Sequence, residues 1–287
     1  MTSGRALRRD RGAQAKDPAL ALGAVHRELA LPEGRLHYVE AGTGMPLVLL
    51  HGGHGSWTHW AANIAPLARS FRVLAVDMPG FGASFDPEPA YDIERYAGTV
   101  SRMLDALSIG RAAVAGFSFG GAVAAEVTSM EPQRIACLAM VNPPGIGPGS
   151  PRATAIQQDL SRLAVTRGLR EGAMASLRRL QLYNHELIDD DVVDAMIANV
   201  RATRFVSRAA SRSADTARAL RSVRQPVQLF IGREDVHRQH GLQELLALMP
   251  QVAPQAQIHL VERARHWLQF DRADLFNERL AQFVGAV

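Results

Sequence analysis

The sequence predicts an α/β protein, a mostly parallel sheet flanked by helices and interrupted late by an all-helical block. Three observations carry this. Short apolar runs alternate with helical patterns, as expected of strands buried on both faces. Several of those runs end in glycine-rich or polar turns, which places loops at the strand ends. The stretch from Asn142 to Ser150 is a breaker cluster (Pro143, Pro144, Gly145, Gly147, Pro148, Gly149), and no convincing strand follows until Pro226.

Arg35–Glu40 alternates polar and apolar residues and reads as a strand. Pro46–Leu50 is a continuous apolar run that leads into His51-Gly52-Gly53-His54-Gly55. Trp57–Ala68 has helical character, and Phe71–Val76 is a further buried strand ending in the loop from Asp77 to Ser84. Ile93–Leu107 is an amphipathic helix, Ala112–Ala115 a strand, Ser118–Met130 a small-residue helix and Ile135–Val141 a strand. In the helical block Asp189-Asp190-Asp191 precedes Val192-Val193. That placement reads as a helix start, with carboxylates complementing the helix dipole. Val227–Ile231 and Gln257–Val261 are the last strands, and Leu275–Phe283 is the closing helix. Residues 21–142 and 225–287 then form one core domain, 143–224 a helical insertion and 1–20 a disordered charged tail.

Composition narrows the function classes. Hydrophobic residues at 47% and charged residues at 21% are ordinary for a globular chain, and no apolar run is long enough for a membrane span. The segment Met1–Asp17 is charged without a long apolar stretch behind it, unlike a secretory signal. The single cysteine, Cys137, lies in an apolar run; it excludes an internal disulfide framework and fits a reducing compartment, so a cytoplasmic location is expected. The net charge of +4 comes from scattered arginines, with Lys16 the only lysine. The densest stretch, Arg201 to Arg224, lacks interleaved aromatics and reads as solvated helix faces, so nucleic acid is not an expected partner. His51, His54 and His59 share a region without a carboxylate or thiol at ligand spacing, and no metal is expected there. His51 reads instead as a brace for its loop.

The chemistry concentrates at Gly116-Phe117-Ser118-Phe119-Gly120-Gly121, directly after a predicted strand. A serine at a sharp strand-to-helix turn presents its hydroxyl clear of the backbone, and the flanking glycines allow close approach. A serine needs a base to take its proton, and the base needs an acid to orient it. Glu234 and Asp235 follow the strand ending at Ile231, and the spacing from Gly232 favours Asp235. His266 follows the next strand. Parallel strands send such loops to one edge, so Ser118, Asp235 and His266 can converge. The backbone N–H groups of Phe119 and of Gly53 are placed to stabilise an oxyanion. Phe81, Phe117 and Trp267 are candidates for an apolar substrate pocket.

These segments resemble an α/β-hydrolase with a helical cap, from about Arg35 to the C-terminus. The carriers are His51-Gly52-Gly53, the stretch from Asp77 to Ser84, the turn at Ser118, Gly232-Arg233-Glu234-Asp235 and His266-Trp267. The resemblance implies about eight strands, no cofactor, a small-molecule substrate held between core and cap, and a chain that often forms a homodimer. Within that superfamily His266–Phe270 with Ala273–Asn277, Pro144–Gly147 and Leu180–Tyr183 are similar to the meta-cleavage-product hydrolases, which cut carbon–carbon bonds in diketo acids. Two positions depart from that pattern. Phe117 stands where those enzymes usually carry asparagine, and Met196 where they carry a cap arginine; Arg201 and Arg204 lie one to two turns further on. The expected activity is therefore hydrolysis of a small, largely apolar carboxylic ester. Carbon–carbon hydrolysis is the alternative, and a non-enzymatic ligand receptor on the same scaffold ranks last.

Overall fold

The computed structural model describes residues 18–89, 91–205, 210 and 214–287. Residues 1–17 of the predicted tail and 206–209 and 211–213 of the arginine-rich stretch lie outside them. A turn of helix, α1 (Pro18–Ala21), precedes strands β1 (Val25–Leu31), β2 (Gly34–Ala41) and β3 (Pro46–Leu50). The 3₁₀ turn Trp57–Trp60 runs into α2 (Ala61–Leu67), followed by β4 (Arg72–Val76), α3 (Ile93–Ala106), β5 (Ala112–Phe117), α4 (Phe119–Met130) and β6 (Ile135–Val141). After the helical insertion come β7 (Val227–Gly232) and β8 (Ala256–Val261).

The eight strands form one sheet in the order β1-β2-β4-β3-β5-β6-β7-β8. The first two pairings, β1 with β2 and β2 with β4, are antiparallel, and every later pairing is parallel. Every residue of β5, β6 and β7 is buried, as a parallel sheet covered on both faces requires. Alternation sorts the side chains between two layers. Val48 and Leu50 join the core under α3 and α4, while Leu47 and Leu49 join the opposite core with Trp60, Ile64 and Phe276. Each fully buried aliphatic or aromatic side chain there contributes about 1.5–3 kcal/mol. The edge strand β1 is the one strand of the sheet without a signal in the sequence. Most of its residues are exposed, so it carries no buried apolar run.

Between β6 and β7 the described residues form helices and no strand. These are α5 (Pro151–Arg167), α6 (Leu169–Ser176), a π-helical turn (Leu177–Gln181), a 3₁₀ turn (His185–Leu187), α7 (Asp190–Arg201) and α8 (Thr216–Ser222). Ser150, Asp189 and Asp215 cap α5, α7 and α8 by accepting the N–H of Ala153, Val192 and Arg218. Each such cap is worth about 1 kcal/mol. Several contacts tie the insertion to the rest of the chain, among them three through buried or part-buried side chains. Asn199 on α7 accepts from Ser56 and donates to Thr58, at 2.7 and 2.9 Å. Asp271 accepts the N–H groups of Tyr183 and Asn184 at 2.6 and 2.9 Å. The Arg218 guanidinium grips both oxygens of Glu126 on α4 at 2.9 and 3.0 Å. The chain closes with α9 (Leu242–Val252), α10 (Leu268–Asp271) and α11 (Ala273–Gly285).

Candidate active site

The carboxyl ends of β3, β5, β6, β7 and β8 meet at one edge of the sheet, and the loops leaving them build the site. Ser118 joins β5 to α4 with φ 49° and ψ −118°, a conformation that costs a non-glycine residue about 1–3 kcal/mol. Two hydrogen bonds hold it there. Its N–H donates to Val141 at 2.8 Å, and its carbonyl accepts from Gly121 at 2.8 Å. The turn closes only because its neighbours lack side chains. A Cβ on Gly116 would lie 2.1 Å from the Gly120 carbonyl oxygen, and one on Gly120 would lie 2.3 Å from that of Leu50.

His266 faces this serine across the edge. Its Nε2 is 2.9 Å from Ser118 Oγ, and its Nδ1 is 2.8 Å from Asp235 Oδ2. Asp235 is fully buried, and its other oxygen accepts the His237 N–H at 2.9 Å. Burial alone would raise the Asp235 carboxyl. The charge and hydrogen bond of His266, with His237 beside it, outweigh that and hold it at about 2. An ionised carboxylate only accepts, so Nδ1 of His266 carries the proton and Nε2 is free to accept from the serine. Glu234, the other acidic candidate, is turned away and accepts the N–H of Ala264 at 3.0 Å.

Gly53 lies on the loop after β3, and that loop is braced from within. His51 Nδ1 donates to the Gly52 carbonyl at 2.7 Å while Nε2 accepts the Met78 N–H at 3.0 Å. His59 Nδ1 accepts the Gly52 N–H at 3.2 Å. Burial lowers both imidazoles, so each stays neutral and can accept. Among the described residues, no acceptor takes the N–H of Gly53 or of Phe119.

The remaining predicted residues are placed as follows. Phe117 is buried with its ring 5.3 Å from that of His59 and 5.0 Å from that of His266. Phe81 is buried against His51 and Phe119. Trp267 is buried and donates its indole N–H to the His59 carbonyl at 2.8 Å. Arg204 is engaged by Asp86 and by the carbonyls of Gly82 and Ser84, Arg201 is exposed at the end of α7, and Met196 is partly buried among apolar neighbours. Burial pushes the Cys137 thiol up to about 12, which leaves it an inert core side chain.

Two residues of the site escape the sequence reading. Asn142, at φ 45° after β6, donates to the His266 carbonyl at 2.8 Å and accepts the Gly232 N–H at 3.1 Å. It ties the acid-bearing and histidine-bearing loops together. Its position at a strand end was the available signal, masked by the prolines and glycines behind it. His237 lies two residues after Asp235 with its ring 4.4 Å from that of His266. Burial, with His266 adding to it, pushes the His237 imidazole down to about 4, so it is neutral at neutral pH.

Residues 47–279 match the family model described as "Alpha/beta hydrolase family". The chain belongs to the alpha/beta hydrolase family. It is a hydrolase of that family, and its mixed, mostly parallel eight-stranded sheet is the family's fold. One curated relative, the 2-hydroxy-6-oxononadienedioate/2-hydroxy-6-oxononatrienedioate hydrolase of Cupriavidus pinatubonensis, is 30% identical over 95% of this chain and 99% of its own. Among solved alpha/beta hydrolases, naproxen esterase from Bacillus subtilis superposes with a TM-score of 0.78 at 24% identity, covering 95% of this chain and 96% of its own. The meta-cleavage product hydrolase CumD of Pseudomonas fluorescens superposes at 0.76 and 22% identity, over 91% and 97%. At such identities the superpositions speak for the fold alone. Among the described residues no helix is long and apolar enough to cross a membrane.

Proposed function

We propose that this chain is a serine hydrolase acting on small, largely apolar carboxylic esters through an acyl-enzyme. The observation that carries the reading is the continuous hydrogen-bonded line from Ser118 Oγ through His266 to buried Asp235. Ser118 Oγ attacks the acyl carbonyl while His266 Nε2 takes its proton. Asp235 steadies the imidazolium that forms. The oxyanion accepts the N–H groups of Gly53 and Phe119, each worth about 10²–10³ in rate. On collapse His266 returns the proton to the leaving alcohol, and the acyl group stays on Ser118. Water then adds to the acyl carbon with His266 again as base. The carboxylic acid leaves and the serine hydroxyl is restored. The helical insertion serves as the cap over this edge.

The surroundings of the cap arginines favour an ester over an acid. Arg204 is committed to Asp86 and the loop carbonyls, so it is not poised to hold a substrate carboxylate. A second reading has its own support. The curated relative at 30% identity acts on a dienedioate, so carbon–carbon hydrolysis of a diketo acid is its natural counterpart here. The deciding experiment compares kcat/KM for nitrophenyl esters from acetyl to octanoyl with loss of the coloured dienol of a meta-cleavage-type acid. Efficient ester turnover with slow dienol loss is the expected result. Dienol loss without ester turnover at any acyl length would overturn the ester reading in favour of the second.

A further inference from the structure

The loop that carries Asp235 holds a side chain the proposed reaction does not use. The ring of His237 is partly exposed and lies 48° tilted beside that of His266. One oxygen of Asp235, one nitrogen of His237 and one of His266 lie within 4.8 Å of one another, the one such set among the described residues. Two imidazoles and a carboxylate are a donor set for a four-coordinate zinc ion with water in the open position. Ca²⁺ and Mg²⁺ call for more oxygens than this set supplies, which leaves the imidazole-preferring first-row dications. We propose that Asp235, His237 and His266 form an inhibitory site for Zn²⁺ or a similar divalent cation.

The inhibition follows from where the proton goes. In the free protein Nδ1 of His266 faces the Asp235 carboxylate at 2.8 Å and donates its proton to it in a hydrogen bond. A cation bound at Nδ1 occupies that position, and the proton is re-placed through water on Nε2. The imidazole keeps one proton throughout, so the count balances. Nε2 now donates toward Ser118 Oγ and cannot take the proton the hydroxyl must lose. Holding a triad histidine in the wrong tautomer costs on the order of 10⁴ in rate. The geometry is within reach. Tetrahedral ligands about 2.0–2.1 Å from zinc lie about 3.4 Å apart. The 2.8 Å contact between Asp235 and His266 therefore needs to open by about 0.6 Å. The other contact of Asp235 comes from the backbone of His237, so replacing that ring leaves it in place.

The inhibition rests on the proposed role of His266, whereas cation binding does not. Both are read on the full chain. Calorimetric titration with Zn²⁺ and the visible spectrum of Co²⁺ report binding to the wild type, Ser118→Ala, His237→Phe and His237→Gln, with circular dichroism confirming that each is folded. One cation per chain is expected in the wild type and in Ser118→Ala, weakened at least ~10-fold in both His237 variants. In turnover assays Zn²⁺ should inhibit the wild type reversibly, with activity restored by EDTA. Each His237 variant, scored against its own metal-free rate, should need at least ~10-fold more Zn²⁺ than the wild type for the same fractional inhibition. No stoichiometric binding to the wild type, or equal affinity in the two His237 variants, would overturn the site. Binding without inhibition would overturn the tautomer block.

Discussion

Two buried aspartate–histidine pairs stand in this molecule with the same 2.8 Å contact, Asp235 with His266 and Asp77 with His37. They differ in what the outer nitrogen of the imidazole meets. His266 reaches Ser118 Oγ at 2.9 Å, whereas His37 Nε2 meets Nδ1 of His26 at 2.8 Å. They also differ in what else the carboxylate holds. Asp77 accepts the N–H of Trp57 at 2.7 Å and of Ala83 at 3.0 Å, fastening the segment after β3 to the loop after β4. Asp235 accepts one further N–H, from His237 two residues on. An aspartate–histidine pair is thus a local motif whose use is set by its third partner. Beside the strained Ser118 its proposed use is to move a proton. With a second histidine and two loop amides it becomes a fastening.

Substitutions should pull the two pairs apart. The largest effect belongs to the first. Ser118→Ala and Asp235→Asn should each lower ester kcat/KM by at least ~10⁴-fold, with thermal unfolding of Ser118→Ala close to the wild type. The second pair should respond in the opposite sense. Asp77→Ala leaves an imidazole and two loop N–H groups without their buried acceptor and should cost about 3 kcal/mol of stability. Turnover per folded molecule should stay within ~10-fold of the wild type, because no reacting atom is touched. Calorimetric unfolding and active-site titration on the same samples separate the two outcomes. Loss of activity in Asp77→Ala at full folding would erase the distinction.

A smaller effect concerns acid. The folded-state carboxyl of Asp235 sits near 2, below its ordinary value of 3.8. A lowered folded-state value stabilises the native state above the unfolded-state pKa, and that stability fades as pH falls from about 4 toward 2. Asp235→Asn should flatten the acid limb of stability in that window, measured by denaturant unfolding at each pH. An unchanged limb would mean the His266 contact does not hold the carboxylate charged. The smallest effect is expected at Arg204→Ala. Its ion pair with Asp86 is partly exposed, so stability should fall by about 1 kcal/mol or less and KM for neutral esters should not move. A large rise in KM for a diketo acid in this variant would sharpen the second functional reading instead.

Much of this comparison was legible in the chain, and unevenly. The parallel strands around Ser118 announce themselves because both faces are buried and the runs are continuously apolar, as in Ile135–Val141. Ser118, Asp235 and His266 could be paired because parallel strands deliver their loops to one edge. Strand β1 was not legible, since an exposed edge carries no such run. Neither was Asn142, whose two loop-binding contacts depend on a left-handed backbone that only the tertiary structure imposes. Nor was the place of His237 legible, because nothing in the local sequence tells that its ring will lie against His266. The His37–Asp77 pair was invisible for the same reason: its partners are forty residues apart and joined only by the sheet.

The proposed mechanism turns on the Ser118 hydroxyl as the attacking group. Its most direct measurement is reaction with a fluorophosphonate followed by peptide mass spectrometry. One label per chain is expected, on Ser118, with ester turnover lost in proportion and labelling suppressed in His266→Ala. Label on another residue with activity lost in step, or turnover that persists after Ser118 is fully modified, would contradict it.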